Sequence, residues 1–136
     1  MVFLNAGYAE MGPFEELPPA EIERMVSVNV FHTVFAAKAL IGQLIRRKQK
    51  SALVITASSA AIVPIPGAAT YSASKVFGSF LGQALSWEVQ DKVDVLSWEP
   101  MGVSTKMLKK KAGGTVLSCE DAVAGALSDL GRERVT

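Results

Sequence analysis

The order in which apolar, strand-like segments alternate with long helix-like segments constrains the fold of this chain more than any other feature. Three short segments have the composition of strands: Val2 to Ala6, Ser51 to Ala57 and Val93 to Trp98. The continuous run Leu53-Val54-Ile55 is typical of a strand that is covered on both faces. A helix-like segment follows each strand, so the pattern predicts an α/β fold with a parallel sheet and helices on its faces.

Each predicted helix has recognisable start or stop signals. Pro18-Pro19 opens the first, and its basic segment Arg46 to Lys50 lies near the negative end of the helix dipole. The second runs from about Ala69 to Asp91. Ser118 to Asp121 is similar to a capping box that opens a short third helix, which Gly131 can end.

Size, charge and composition limit the class of protein. At 136 residues the chain is long enough for one core, so we expect residues 1–136 to form a single domain. The net charge of +1 offers no field that would attract nucleic acid. Because Cys119 and His32 are the only cysteine and histidine, neither an intrachain disulfide nor a metal site is expected.

No secretory signal or membrane contact is indicated in this stretch. The first four residues lack a basic region, and Asn5 interrupts their apolar run. The most apolar segment, Val26 to Ile45, contains polar and charged residues and is interpreted as an amphipathic helix. Together with the lone cysteine, these features predict a cytoplasmic location. Any membrane anchor of a longer parent protein would precede Met1, so this expectation applies only to this stretch.

Four polar side chains suggest a reaction. Lys75 follows Tyr71 by four residues and so lies one helical turn away on the same face. A neighbouring ammonium favours the phenolate form of a tyrosine, which makes the phenol a better proton donor or acceptor near neutral pH. Ser58, at a predicted strand end, can hydrogen-bond the same substrate oxygen, and Asn29 can hold a water that relays protons. This set suits hydride transfer, in which a cofactor carries the hydride.

Simpler interpretations exist for each of these residues. The pair Tyr-x-x-x-Lys arises often by chance, and a surface tyrosine stacked on a lysine stem would account for it. Ser59 is an alternative to Ser58 as the active hydroxyl. Asn29 is also explained as a helix-kink residue, and Asn5 as a turn former.

Because these motifs occur together and in this order, chance is a poor explanation for them. The chain resembles the short-chain dehydrogenase/reductases. The resemblance runs almost from end to end. It is carried by Asn5-Ala6-Gly7, Asn29, Ser58, Tyr71-x-x-x-Lys75 and Pro100-Met101-Gly102-Val103-Ser104-Thr105.

This resemblance implies a catalytic role for four residues. Tyr71 would be the general acid/base, and Lys75 would tune it. Both would also contact the nicotinamide ribose. Ser58 would stabilise the substrate oxygen, and Asn29 would serve the proton relay.

The resemblance also implies residues that bind the cofactor, NADP or NAD. Pro100, Val103 and Thr105 would flank the nicotinamide carboxamide, and Asn5 and Gly7 would lie near the adenosine side. The segment from Pro100 onward is similar to the 17-beta-hydroxysteroid dehydrogenase and long-chain 3-ketoacyl reductase branch, which favours NADP. That branch implies a small apolar carbonyl or alcohol substrate of the steroid or acyl type.

The chain departs from the family pattern at several points. Leu4 and Met101 replace an asparagine and a glycine that the family usually has. The glycine-rich pyrophosphate loop does not occur in the sequence, and the chain stops at Thr136, before the expected last strand. The expected fold is therefore a partial Rossmann-like, doubly wound parallel sheet that lacks the N-terminal βαβ half, the C-terminal portion of the family fold.

Two hypotheses about function follow. In the first, the chain is an NAD(P)-dependent oxidoreductase that reduces a ketone or oxidises a secondary alcohol. In the second, it is a catalytically silent pseudoenzyme or interaction module, because the pyrophosphate loop supplies much of the binding energy for a dinucleotide. In both, the two long helices are expected to form a homo-oligomer.

Overall fold

Three parallel strands form the centre of the molecule. A computed structural model describes residues 1–108 and 110–136. Its main sheet has the order β1 (Val2–Leu4), β2 (Ser51–Thr56), β3 (Val93–Trp98), with neighbouring strands parallel. Leu4 pairs with Ile55, and Thr56 pairs with Trp98, so the carboxyl ends of all three strands lie along one edge. The predicted α/β class with a partial Rossmann-like parallel sheet is confirmed.

Helices connect the strands. The first is a continuous helix from Pro19 to Ile45, made of α1 (Pro19–Val26), a π-helical turn (Ser27–Phe31) and α2 (His32–Ile45). Helix α3 spans Ala69–Glu88, and α4 spans Cys119–Asp129. Two short 3-10 turns, Phe14–Glu16 and Ser59–Ala61, and a pair of two-residue parallel strands, β4 (Gly102–Val103) and β5 (Val116–Leu117), complete the described elements.

Alternate residues of the strands bury one face of the sheet beneath α2 and α3. The core cluster contains Leu4, Leu53, Ile55, Val93 and Val95 from the strands and Ala37 and Leu44 from α2, with Leu81 and Leu85 of α3 packed against it. Gly82 allows α3 to approach β3, since a Cβ on Gly82 would lie 3.1 Å from the Ser97 Cβ. Helix α3 is therefore held directly over the end of the sheet.

One contact at the C-terminus extends the pairing of β3. The sequence predicts that the chain stops before a further strand, and no strand is assigned after α4 in residues 110–136, but Val135 forms an isolated parallel bridge with Ser97 of β3. The Ser97 N–H donates to the Arg134 carbonyl at 2.8 Å, and the Thr136 N–H donates to the Ser97 carbonyl at 3.1 Å. Three residues are too few to show a strand pattern in sequence.

Element boundaries otherwise differ from the predictions by a few residues. The first strand ends at Leu4 and not at Ala6, and α3 ends at Glu88 and not at Asp91. The predicted capping box is found as an N-cap, because the Ser118 hydroxyl accepts the Asp121 N–H at 3.0 Å. Gly131, with a φ of 82°, follows the end of α4 as expected.

The first long helix also has the length and composition of a membrane span. Its most apolar 18-residue window, within Pro19–Ile45, is 22% buried in the structure. Ala37 and Leu44 of this helix pack into the core of the sheet, which accounts for part of its apolar character.

Candidate active site

Polar residues that follow the three strands meet at the carboxyl edge of the sheet. Beyond β1, the Asn5 Oδ1 accepts a hydrogen bond from the Thr56 hydroxyl at 3.0 Å. Beyond β2 and β3, the Ser59 N–H donates to the Pro100 carbonyl at 3.0 Å. These two contacts join the chain segments that carry Asn5, Ser58 and Pro100. In open parallel sheets this edge is where ligands bind.

Lys75 is buried beneath this edge, with 6% of its surface exposed. Its Nζ donates to the Thr56 carbonyl at 2.9 Å and lies 5.8 Å from the centre of the Tyr71 ring. Burial lowers the pKa of the Lys75 amine to about 8 from its ordinary 10.5. The structure thus places the amine beside the half-buried Tyr71, as the four-residue spacing predicts.

Asn29 lies in the π-helical turn and is 3% exposed. Its Oδ1 accepts the Tyr8 N–H at 2.8 Å, and its Nδ2 donates to the Tyr8 carbonyl at 2.8 Å and to the Ser74 hydroxyl at 2.9 Å. The side-chain amide is therefore bound by protein groups on both its oxygen and its nitrogen. The Asn29 backbone carbonyl accepts the Thr33 hydroxyl at 2.9 Å, so the predicted water relay at Asn29 stays a prediction.

Gly7 lies against both buried polar groups. A Cβ on Gly7 would be 3.3 Å from the Lys75 Nζ and 3.7 Å from the Asn29 Oδ1. A larger residue here would displace the amine or the amide. Asn5, Gly7, Asn29, Tyr71 and Lys75 are thus linked by contacts within one site.

Ser58 begins the 3-10 turn Ser59–Ala61 in an extended conformation. Its Oγ accepts the Ala60 N–H at 3.2 Å, and the turn packs against α3, the helix that carries Tyr71. The Ser59 N–H donates to the Pro100 carbonyl. Ser58 and Ser59 are both half-buried, so burial does not distinguish them. The choice between Ser58 and Ser59 as the active hydroxyl therefore stays a prediction.

The remaining predicted cofactor residues extend away from Lys75. Val103 lies in β4 and pairs with Leu117 of β5. Thr105 is exposed, and its hydroxyl accepts the Leu108 N–H at 3.4 Å. The structure therefore links Pro100 to the site through Ser59, whereas the contacts of Val103 and Thr105 are with their own segment.

Sequence reasoning missed three residues that stabilise the site. Ser74 joins Asn29 to α3, since its hydroxyl also donates to the Tyr71 carbonyl at 2.7 Å. Tyr8 binds the Asn29 amide through its backbone. Glu99, 8% exposed, accepts a hydrogen bond from the Ser79 hydroxyl of α3 beside the Pro100 segment. Only Ser74 had a sequence signal, its position next to Lys75.

The site lies at the opposite edge of the sheet from a cavity of about 520 Å³. That cavity is lined by residues at the amino ends of β2 and β3, among them Lys50 and Asp94, which form an ion pair at 2.6 Å. Cations and carboxylates both line it, and none of the predicted site residues does. In the described part of the chain, no cluster of three His, Cys, Asp or Glu side chains could hold a metal ion.

Residues 1–114 match the family model described as short chain dehydrogenase. A very-long-chain 3-oxoacyl-CoA reductase of Schizosaccharomyces pombe is 29% identical over 140 residues, which cover 96% of this chain and 41% of that protein. The chain therefore spans less than half the length of this curated relative.

Solved structures share the fold. A 3-ketoacyl-(acyl-carrier-protein) reductase of Brucella melitensis, complexed with NADH, matches with a TM-score of 0.87 and 24% identity over 98% of this chain and 62% of that one. A short-chain dehydrogenase of Sphingobium yanoikuyae, in complex with NADPH, matches with a TM-score of 0.82 and 24% identity over 93% of this chain and 52% of that one.

Proposed function

Because the chain belongs to the short-chain dehydrogenase family, a family of oxidoreductases, we propose that it carries out NAD(P)-dependent interconversion of a ketone and a secondary alcohol. Tyr71 is the general acid/base in this proposal. One observation supports it above the others: the buried Lys75 amine lies 5.8 Å from the Tyr71 ring at the carboxyl edge of a parallel sheet. A cation there stabilises the phenolate that remains after proton donation.

The chain's own residues supply the proton that the substrate oxygen receives. When bound, a reduced nicotinamide supplies the hydride, which carries two electrons to the carbonyl carbon. The Tyr71 hydroxyl donates its proton to the substrate oxygen, so the C=O π bond breaks as the new C–H and O–H bonds form. The Ser58 hydroxyl donates a hydrogen bond to the same oxygen. The Tyr71 phenolate then regains a proton from solvent by way of Lys75 and a water held by Asn29.

The groups around Lys75 suit the nicotinamide ribose of a dinucleotide. A lysine ammonium has three donors, and one of them is bonded to the Thr56 carbonyl. The other two are suited to ribose hydroxyls. Gly7 has no side chain at the point where it borders the amine, so the amine keeps its place there. We propose that NADP is preferred over NAD, on the resemblance of the Pro100 segment to the long-chain reductase branch.

Two loops next to the site carry exposed apolar side chains, and these favour an apolar substrate. The loop after β1 and the loop after β2 are joined by a hydrogen bond from the Gly12 N–H to the Gly67 carbonyl at 2.8 Å. These loops carry five exposed large apolar side chains: Met11, Phe14, Ile62, Val63 and Ile65. An exposed apolar group of this size favours a ligand with apolar surface, such as a steroid or acyl chain.

The test is hydride transfer by the purified chain. The chain is mixed with NADPH or with NADH, and a panel of ketones of increasing apolar length is added. We expect loss of the reduced nicotinamide absorbance, faster with NADPH and with the more apolar ketones. Equal inertness toward every ketone, with no change of nicotinamide fluorescence on mixing, would contradict the proposal.

The second candidate function is self-association, and an exposed stripe on α3 favours it. Ala73, Phe77, Phe80, Ala84 and Trp87 recur at intervals of three and four residues, all exposed, with Phe80 at 68% and Trp87 at 62%. Phe31 and Phe35 add a tilted ring pair on the neighbouring helix, 6.3 Å between centroids. We propose that a second copy of the chain covers these two helices, which would also suit a catalytically silent interaction module.

A further inference from the structure

Tyr8 is held on three sides by α1 and its own loop. Its hydroxyl donates to the Glu21 Oε2 at 2.7 Å, with a longer contact to the Glu10 Oε2 at 3.3 Å. The Arg24 guanidinium carbon lies 4.0 Å from the centre of the Tyr8 ring. Glu21 and Arg24 are three residues apart and so lie on one face of the helix. A carboxylate at the hydroxyl and a guanidinium over the ring fix both ends of this side chain.

The backbone of Tyr8 is fixed as well, on the other side. Its N–H and its carbonyl both bond the Asn29 amide, each at 2.8 Å. The residue before it, Gly7, borders the Lys75 Nζ. Tyr8 therefore joins the surface of α1 to the two buried polar groups of the site.

We propose that Tyr8 is a positioning residue, anchored by Glu21 and Arg24, which keeps the Gly7 backbone against the Lys75 amine and the Asn29 amide. The inference rests on the proposed function, because it concerns how Lys75 is prepared for its role beside Tyr71. Tyr8 acts through Gly7 and Asn29 and needs no contact with substrate. Without the anchor, the short loop can move away and admit water to Lys75.

Few other groups influence the Lys75 amine. Tyr71, on the same helix, is the titratable side chain found beside it in residues 1–108 and 110–136. The groups that other elements bring to it are neutral: the Thr56 carbonyl, the Gly7 backbone and the Asn29 amide. Burial lowers the pKa of the Lys75 amine, so a change in this pKa reports a change in the hydration of the amine.

The test is the titration of Lys75 in the whole chain, followed by NMR on lysine labelled at Cε and assigned by its absence from Lys75→Met. Tyr8→Phe removes one hydroxyl and leaves the ring beneath Arg24. We expect the Lys75 pKa to rise by about 1 in Tyr8→Phe and in Glu21→Ala, since water then solvates the charged amine. Glu10→Ala, which removes the longer contact, is the matched control and should leave the titration unchanged.

The double variant Tyr8→Phe/Glu21→Ala should shift Lys75 no further than either single variant, because both remove the same hydrogen bond. An unchanged Lys75 titration in Tyr8→Phe and Glu21→Ala, even with a lower melting temperature, would show a merely structural role and overturn the inference. An equal shift in Glu10→Ala would also overturn it. The titration needs no turnover, so it can succeed even where the proposed oxidoreductase activity fails.

Discussion

The Lys75 Nζ bonds the Thr56 carbonyl at 2.9 Å, and this contact ties the middle of α3 to the end of β2. The same amine lies 5.8 Å from the centre of the Tyr71 ring. One side chain thus fixes the helix that carries the phenol at the strand edge where a substrate oxygen would lie. Because the buried amine has a neutral partner, its charge lowers the stability of the fold, and this loss can be measured.

Stability should increase with pH over a defined window because of Lys75. Its pKa in the folded chain is about 8, against an ordinary 10.5. Below pH 8 both states are protonated, and the buried charge destabilises the fold. Between the two values only the unfolded chain binds the proton, so the free energy of unfolding rises, by up to about 3 kcal/mol. Urea unfolding at about pH 7 and about pH 10 measures the change.

Lys75→Met is the control for this pH effect. The variant should lose the rise, because it has no amine to deprotonate. The pKa of Tyr8 is raised, chiefly by its hydrogen bond to Glu21, so its contribution to stability is lost only as the pH rises above the ordinary tyrosine value of 10. Tyr8 is present in both proteins, and the difference between them isolates Lys75. Identical pH dependence in the two proteins would contradict the burial of the amine.

Ser74→Ala should destabilise the chain more than Ser72→Ala does, although both hydroxyls are buried. The Ser74 hydroxyl bonds the Asn29 amide at 2.9 Å and the Tyr71 carbonyl at 2.7 Å, and its loss leaves a buried N–H without a partner. We expect a cost of about 1–3 kcal/mol. The Ser72 hydroxyl accepts one long bond from the Ile65 N–H at 3.3 Å, so its loss should cost about 1 kcal/mol or less. Denaturant unfolding of both variants measures these losses of stability. Equal losses of stability in the two variants would be evidence against a central role for Ser74.

Gly82→Ala should destabilise the contact between α3 and β3. The new Cβ would lie 3.1 Å from the Ser97 Cβ, which is closer than an ordinary contact, so Ser97 and α3 have to separate by a few tenths of an ångström. Overpacking costs about 1–3 kcal/mol, and the better helix propensity of alanine returns at most about 1 kcal/mol of that. Gly42→Ala is the control, since its Cβ meets only the mobile end of Arg46 at 3.3 Å. Thermal unfolding should show a lower melting temperature for Gly82→Ala alone.

The chain should self-associate through its exposed aromatic stripe, and sedimentation equilibrium can measure this. Phe80→Gln removes a side chain that is 68% exposed at the centre of the α3 stripe. We expect this change to weaken association by about tenfold or more, as for an interface anchor. Phe14→Gln, in a 3-10 turn outside the two long helices, is 63% exposed and should have no such effect. A native chain that is monomeric at all concentrations would refute the proposed interface.

The strand and helix order was predictable because long elements carry periodic apolar patterns. The position of Lys75 beside Tyr71 followed from the helical period alone. The π-helical turn was not predictable, since the apolar residues Val26, Val30 and Val34 keep an ordinary helical interval of four across it. The contacts of Tyr8 with Glu21 and Asn29 depend on how a loop meets a helix, which a local pattern does not encode. By contrast, the meeting of the three strand ends at one edge was predictable, since the strands of every parallel sheet end at the same edge.

The role of Tyr71 as proton donor is tested most directly by the turnover of an apolar ketone, with reduced nicotinamide, by the native chain and by Tyr71→Phe. The phenylalanine variant keeps the ring beside Lys75 and loses only the proton donor. We expect turnover to fall by at least about a hundredfold in Tyr71→Phe while nicotinamide binding is retained, and we expect Thr70→Ser next to it to behave as the native chain does. Tyr71→Phe with undiminished turnover would contradict the account.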